Sequence, residues 1–543
     1  MKPMKRAAVV ALFVFCFPAL ARDAVSAKQF MVAAAHPLAV EAGTAVLKRG
    51  GNAVDAAVAV QMVLGLVEPE SSGIGGGAFL LYWSAREKKL KTYDGRETAP
   101  AAAQADRFLR EGKPTDFFDA AVGGRSVGVP GVLRMLELAH ARHGRLPWAE
   151  LFHSGIFAAE EGFTVSPRLH LVLQRERFLR ADSDAKALYY GADGNARPAG
   201  ARIVNKAYGA TLRAIATQGA DALYRGEIAS DIVRAVRAHP KAGDLAESDL
   251  ASYRAIEREP VCGPYRQWRV CSMAPPSSGG VAVLQILGLL ERARVERAAP
   301  QTAAAVHLFT EAARLAYADR ARYLGDPDFV AVPVKALLDP AYLDARAKLI
   351  GERSMRRAVA GDTEAPGTSH YAIVDAQGDA VAMTTTIENP FGSRIMVRGF
   401  LLNNELTDFD FTPGSANEIR PGKRPRSSMA PTMVFDGGND LVLTVGSPGG
   451  SMIINFVTRA LVARLDWGLD LQHALDAPNF GSRNGPTYLE KGTAYEALRG
   501  ELERRNHVVE IIPMTSGLHA IERAPGGWRG AADSRREGVA KGD

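Results

Sequence analysis

The sequence predicts a mixed α/β protein, and three stretches carry that expectation. Tyr371 to Asp375 and Ala380 to Thr386 read as apolar strands joined by a tight turn at Gln377-Gly378-Asp379. Ala53–Val67, AVDAAVAVQMVLGLV, is apolar nearly all round, so it reads as a helix buried on every side. Leu441–Val445 reads as a strand that runs through Gly446-Ser447-Pro448-Gly449-Gly450-Ser451 into a helix, Met452–Leu465.

Met1 to Ala27 reads as a secretory signal. Lys2, Lys5 and Arg6 precede an apolar run, Ala7–Leu20, that is short for a permanent membrane span. Ala19-Leu20-Ala21 and Val25-Ser26-Ala27 both offer small-residue cleavage sites, and the second is taken as the boundary. Cys16 follows Val14-Phe15 and lacks the small residue that precedes a lipidated cysteine, so no lipid anchor is expected. The formal charge of the chain is +6, of which residues 1–27 hold +3. The remainder is too weakly basic, and too poor in Lys/Arg tracts with interleaved aromatics, for a nucleic-acid partner. The expected location is therefore periplasmic or secreted, with no stable membrane anchor.

Cys262 and Cys271 flank CGPYRQWRVC, two short strands about a turn. In an exported protein they form a cross-strand disulfide or remain as two thiols in a strand pair. Two cysteines without a matching histidine set give no structural zinc site, and no metal or organic cofactor is implied.

Along the chain, Leu38–Arg49 reads as a helix ended by Gly50-Gly51. Ser71 to Gly77 is glycine-rich, but a helix precedes it and a strand, Ala78–Trp83, follows. That order is the reverse of a dinucleotide loop, so a close backbone turn is expected. A strand at Leu90–Tyr93 leads into Asp94-Gly95-Arg96, where a guanidinium past a strand end can grip a carboxylate. Residues 129–237 have helical spacing, strands return over 254–273, and helices follow at Val281–Leu290 and Thr302–Tyr323. No repeat is present, and residues 101–360 read as scaffold without a catalytic set.

Arg353 to Pro366 loses periodicity and collects Gly, Thr, Glu and Pro, and a strand begins directly after it. Taken alone, Gly367-Thr368-Ser369-His370 is a loop entering a hairpin. Its alternative is a peptide bond, Gly367–Thr368, that breaks and leaves Thr368 as a new N-terminus. A threonine hydroxyl needs a base, and a free α-amine with a pKa of roughly 7.7–8.0 supplies one. Glu405 and Asp408 stand three apart beside a short apolar strand. Gly449-Gly450, at a strand-to-helix turn, can aim N–H groups at an oxyanion.

GGNAVDAAVA, GIGGGAF, DGRETAP, PPSSGG, TSHYAIVD, FLLNNELTDF, KRPRSSMAPT and GSPGGS occur in that order. Together they resemble the γ-glutamyltransferase (γ-glutamyltranspeptidase) family of the N-terminal-nucleophile hydrolases, over nearly the whole chain after the signal. The resemblance implies a four-layer αββα sandwich, made as a precursor and cut into a large subunit, 28–367, and a small subunit, 368–543, that stay together as a heterodimer. It implies Thr368 as processing residue and nucleophile, oriented by Thr386, with Gly449 and Gly450 as oxyanion donors. Arg96, Ser427 and Ser428 would hold the α-carboxylate of a γ-glutamyl donor such as glutathione, and Glu388, Glu405 and Asp408 its ammonium. Water, an amino acid or a peptide would then take the acyl group. Two features depart from the family pattern. Glu388 stands where Asn is common, and residues 408–424 lack the longer lid insertion of some relatives. They leave open a glutaryl or cephalosporin-type acylase and a poly-γ-glutamate-acting enzyme; a binding homologue without turnover is the remaining alternative.

Overall fold

The computed structural model describes residues 23–357 and 367–543. Most of the expected signal segment, 1–22, and the stretch 358–366 before Gly367 lie outside the described residues. Two seven-stranded sheets, antiparallel throughout, form the centre. One runs Val539–Gly542, Met31–Ala34, Gly367–Val374, Ala380–Glu388, Gly77–Ser84, Lys89–Gly95, Ile256–Arg258. The other runs Val25–Ala27, Gly527–Ala532, His519–Ala524, Leu441–Gly446, Thr432–Phe435, Trp268–Ser272, Val261–Tyr265.

Strand alternation explains the layering. Tyr371 and Ile373 face one apolar cluster, shared with the helices Pro37–Lys48 and Ala53–Val67. Ala372 and Val374 face the other, shared with Val434, Leu443 and Val445 of the second sheet. The helices Gly279–Arg292 and Ile453–Leu465 cover that sheet's outer side, which completes the expected four-layer αββα sandwich. The strands of both sheets come from both sides of Thr368, so residues before and after it share both sheets.

Local chemistry sets the helix that supports the hairpin. Asn52 Oδ1 accepts from the N–H groups of Val54 and Asp55 at 3.1 and 3.0 Å, and Asp55 returns a bond to the Asn52 N–H. That reciprocal cap satisfies the first turn. The Ala53 N–H donates to Asp375 Oδ2 at 3.0 Å, while Asp375 Oδ1 accepts from Gln377 and Asp379 and shapes the hairpin turn. Fourteen residues of the 15-residue helix Ala53–Val67 are buried. Each Val, Leu or Met buried in this way contributes about 1.5–3 kcal/mol.

The Ser71–Gly77 turn passes close to other backbone. A Cβ on Gly76 would fall 2.0 Å from the Thr386 carbonyl oxygen, and one on Gly75 would fall 2.2 Å from that of Leu401. Cys262 and Cys271 lie opposite each other in an edge hairpin and are joined as a disulfide. Among the described residues no helix is long and apolar enough to cross a membrane.

Candidate active site

Thr368 sits second in its strand, against Thr386 of the neighbouring strand, and is 4% exposed. The ladder slips by one residue here: Gly367 faces Glu388, so Ile387 is extra and Glu388 takes a φ of 73°. Such a backbone costs a non-glycine residue energy and aims its side chain where regular pleating would not. Thr368 Oγ1 and Thr386 Oγ1 are 3.4 Å apart. The Glu388 N–H donates to Thr386 Oγ1 at 2.8 Å and fixes that hydroxyl. Beneath the strand, Ser369 Oγ donates to Glu68 Oε2 at 2.6 Å, and Arg536 Nη1 donates to the Thr368 carbonyl at 3.2 Å.

A narrow cleft opens above Thr368, lined by Thr386, Glu388, Arg96, Glu405, Asp408, Ser427, Ser428 and Gly450. Residues spread over more than 350 positions of sequence thus meet at one point. Gly449, one residue back from that wall, and Gly450 take φ values of 139° and 55°, which turn the chain into the helix that follows.

The sequence reading set Arg96 on one side of the cleft and the acids on the other. In the structure they touch. Arg96 Nη1 donates to Glu405, and Nη2 to Asp408. Its remaining donors reach the carbonyls of Pro425 and Arg426, both at 3.1 Å. Below lies a third acid that sequence reasoning did not single out: Glu97, 3.8 Å from Arg96 Nη1. Burial pushes the Glu97 carboxyl up to about 7, and Asp408 to about 6 against the pull of Arg96. Glu405 is raised as well, through burial and the adjacent Glu97. The Glu97–Glu405 pair therefore holds a proton near neutral pH. Glu388 stands apart from Arg96, bound by Asn404 Nδ2 and by the Thr407 hydroxyl at 3.3 Å.

The stretch read as scaffold also reaches the site. Arg320, on the helix Ala303–Tyr323, donates from Nη2 to Ser428 Oγ and from Nε to Ser278 Oγ, both at 2.8 Å. The Ser278 N–H donates to the Ser427 carbonyl at 2.8 Å and holds the Ser427-Ser428 loop. A signal for Arg320 was present. It follows Ala313 and Ala316 by seven and four residues, on the buried helix face, where a charge needs a reason.

His307, Glu311 and His507 have the clustering of metal ligands. Their atoms are already engaged. The two rings bond each other at 2.8 Å, His307 Nε2 meets the Gly351 carbonyl at 2.7 Å, and His507 Nδ1 meets Thr487 Oγ1 at 2.7 Å. Glu311 accepts from Ser354 Oγ and the Met355 N–H at 2.8 and 2.9 Å. The group acts as a polar anchor for the chain at residues 351–355.

Two antiparallel sheets between two helical layers, with an internal threonine at the start of a central strand just after Gly367, match the fold of the N-terminal-nucleophile hydrolases. The chain belongs to the γ-glutamyltranspeptidase family of enzymes, whose model matches residues 39–543. It is 37% identical over 541 residues to the "Glutathione hydrolase proenzyme" of Bacillus subtilis (strain 168), covering 95% of this chain and 92% of that one. It is 36% identical over 526 residues to the "Acylase ACY 1 proenzyme" of Pseudomonas sp. (strain SE83), covering 95% and 93%. Among solved structures, the cephalosporin acylase from Bacillus halodurans superposes with a TM-score of 0.86 at 28% identity, covering 98% of this chain and 99% of that one. The family and fold that the sequence motifs pointed to are those found.

Proposed function

We propose that this protein is an autoprocessing γ-glutamyl hydrolase/transferase acting on glutathione-like amides. The observation that carries the reading is the 3.4 Å pairing of Thr368 with Thr386 in one cleft with Arg96, the acids, Ser427-Ser428 and Gly450. In maturation, Thr368 Oγ attacks the Gly367 carbonyl carbon and the acyl group moves from nitrogen to oxygen. That shift frees the Thr368 amine, and water then cleaves the ester, which releases the Gly367 carboxylate and restores the Thr368 hydroxyl. In turnover, the amine accepts the Oγ proton as Oγ attacks the donor's γ-carbonyl. Gly449 and Gly450 N–H groups stabilise the oxyanion, at about 2.7–4 kcal/mol for such a donor. The leaving amine takes the proton and departs, and water or an amine releases the acyl group from Thr368. The donor's carboxylate lies toward Ser427, Ser428 and Arg96, and its ammonium toward Glu388, Glu405 and Asp408.

The interleaved strands support a heterodimer of the two pieces. The edge strand Val25–Ala27, paired with Trp528–Gly530, supports signal cleavage after Ala21, since cleavage after Ala27 would remove that strand. Export to the periplasm or medium follows from the same signal.

One observation favours a second reading. Beyond Thr407 and Ser451 a cleft of ≈ 790 Å³ adjoins the site, bordered by Phe409, Phe411 and the short 412–415 turn. Bulky leaving groups fit there, as an acylase or a polymer-cutting enzyme needs. Denaturing electrophoresis with mass spectrometry tests processing: two pieces are expected, one beginning at Thr368, and Thr368→Ala stays whole. An uncut, fully active wild type overturns the reading. Comparing γ-glutamyl and glutaryl anilides separates the two substrates; release from the glutaryl compound alone favours the acylase.

A further inference from the structure

The geometry points to Arg320 as the charge that recognises the donor's carboxylate, acting through Ser428; this rests on the proposed donor site. Arg96 is already matched, its guanidinium facing Glu405 and Asp408. Arg320 differs. It is 7% exposed, yet its hydrogen bonds go to two hydroxyls, Ser278 and Ser428, and among the described residues no carboxylate pairs with it. The nearby Asp410, whose carboxyl feels Arg320, is paired with Arg426 at 3.1 Å.

A buried cation whose direct partners are two neutral hydroxyls and the Tyr317 ring, 5.9 Å away, and whose nearby carboxylate is shared with Arg426, leaves attraction for an anion unsatisfied. The route to it runs through Ser428. Its oxygen accepts from Arg320, so its own proton points elsewhere, and the residue lines the cleft beside Thr368. A cation behind a hydroxyl polarises it and strengthens the bond it donates. The unmatched positive end of the cleft is thus the Ser428–Arg320 relay, and the Glu405/Asp408 pair tempers Arg96. Arg320 is a positioning and specificity residue, removed from the bond that breaks.

The test uses the processed enzyme, with Arg320→Met, Ser428→Ala and both together, on a γ-glutamyl anilide. Each single change is expected to raise KM about 10- to 100-fold, the range for a charge-assisted hydrogen bond, with kcat within a few-fold. The double variant should be no worse than the poorer single one, because the two residues act in series. Multiplying losses, or a fall in kcat at constant KM, overturn the inference. A 4-aminobutanoyl anilide, which lacks the carboxylate, should show equal kcat/KM in wild type and Arg320→Met; a parallel loss there also overturns it. Arg320→Lys keeps the cation if the Met variant misfolds, and should give a KM between wild type and Ser428→Ala; a KM at or above that of Ser428→Ala counts against the relay. A wild type silent on both γ-glutamyl and glutaryl anilides would instead sink the donor reading itself.

Discussion

Arg536 Nη1 donates to the carbonyl oxygen of Thr368 at 3.2 Å, across 168 residues of sequence. This places a buried guanidinium within one residue's width of the nitrogen proposed as the base. Burial and Arg168 hold the Arg536 pKa down to about 9, so it is charged at neutral pH. Glu68 and Glu70 face it from the end of the Ala53–Val67 helix and Asp533 from its own turn, while Glu388, paired with Gly367, lines the cleft that Thr368 opens into. His519, held down to about 3 by burial, is neutral. Burial and Glu68 raise Glu70 to about 7.

A nearby cation disfavours the protonated amine and lowers its pKa. Arg536→Met is therefore expected to move the acid limb of the kcat/KM profile upward, by about one unit. Glu70→Gln removes a negative charge above pH 7 and should move that limb downward. A pH–rate profile of each variant checks both signs.

The Thr386 hydroxyl touches the Thr368 hydroxyl and is held by the Glu388 N–H. Thr386→Val keeps the shape and removes the oxygen. We expect kcat to fall on the order of tenfold, from roughly 1–1.5 kcal/mol of lost hydrogen bonding, with KM little changed. Steady-state kinetics on the γ-glutamyl anilide decide this.

Glu97 gives the chain a pH-dependent stability. Its pKa rises from 4.5 to about 7 on folding, chiefly through burial. The folded state thus holds this proton more tightly than the unfolded state does. Its stabilisation is fully present below about pH 4.5 and is lost as pH rises through 7. Glu97→Gln mimics the neutral carboxyl at every pH. From pH 5 to pH 8 the variant should gain on the wild type by on the order of 3 kcal/mol, at about 1.4 kcal/mol per pKa unit. Denaturant unfolding at the two pH values measures it.

The disulfide Cys262–Cys271 closes a loop of sequence separation 9 at the sheet edge. Chain-entropy reasoning gives about 2–3 kcal/mol for so short a loop. Cys262→Ser with Cys271→Ser should lower the unfolding midpoint and leave kcat/KM unchanged, because neither residue lines the cleft. Thermal unfolding and kinetics on one preparation test both halves.

Much of the fold was legible before any coordinates. The Ala53–Val67 helix matches its expected bounds, and the hairpin gains residues at its open end while its first strand stops at Val374, one residue short of Asp375, which shapes the turn instead. Apolar periodicity and turn residues are local signals, and these elements obey them. Thr368, Thr386, Arg96 and the Ser427-Ser428 loop were also legible, since short motifs carry them. What remained hidden were partnerships across long separations: Arg320 with Ser428, Arg536 with Thr368, Glu97 with Glu405.

The sequence by itself determined the elements, the family motifs and the hydroxyl proposed to react, because each is written in a few consecutive residues. Only the tertiary structure decided which charges stand matched, that Arg96 meets two acids while Arg320 meets two hydroxyls. Ion pairing and burial depend on distance and on the exclusion of water, and both arise only when the two sheets close on each other.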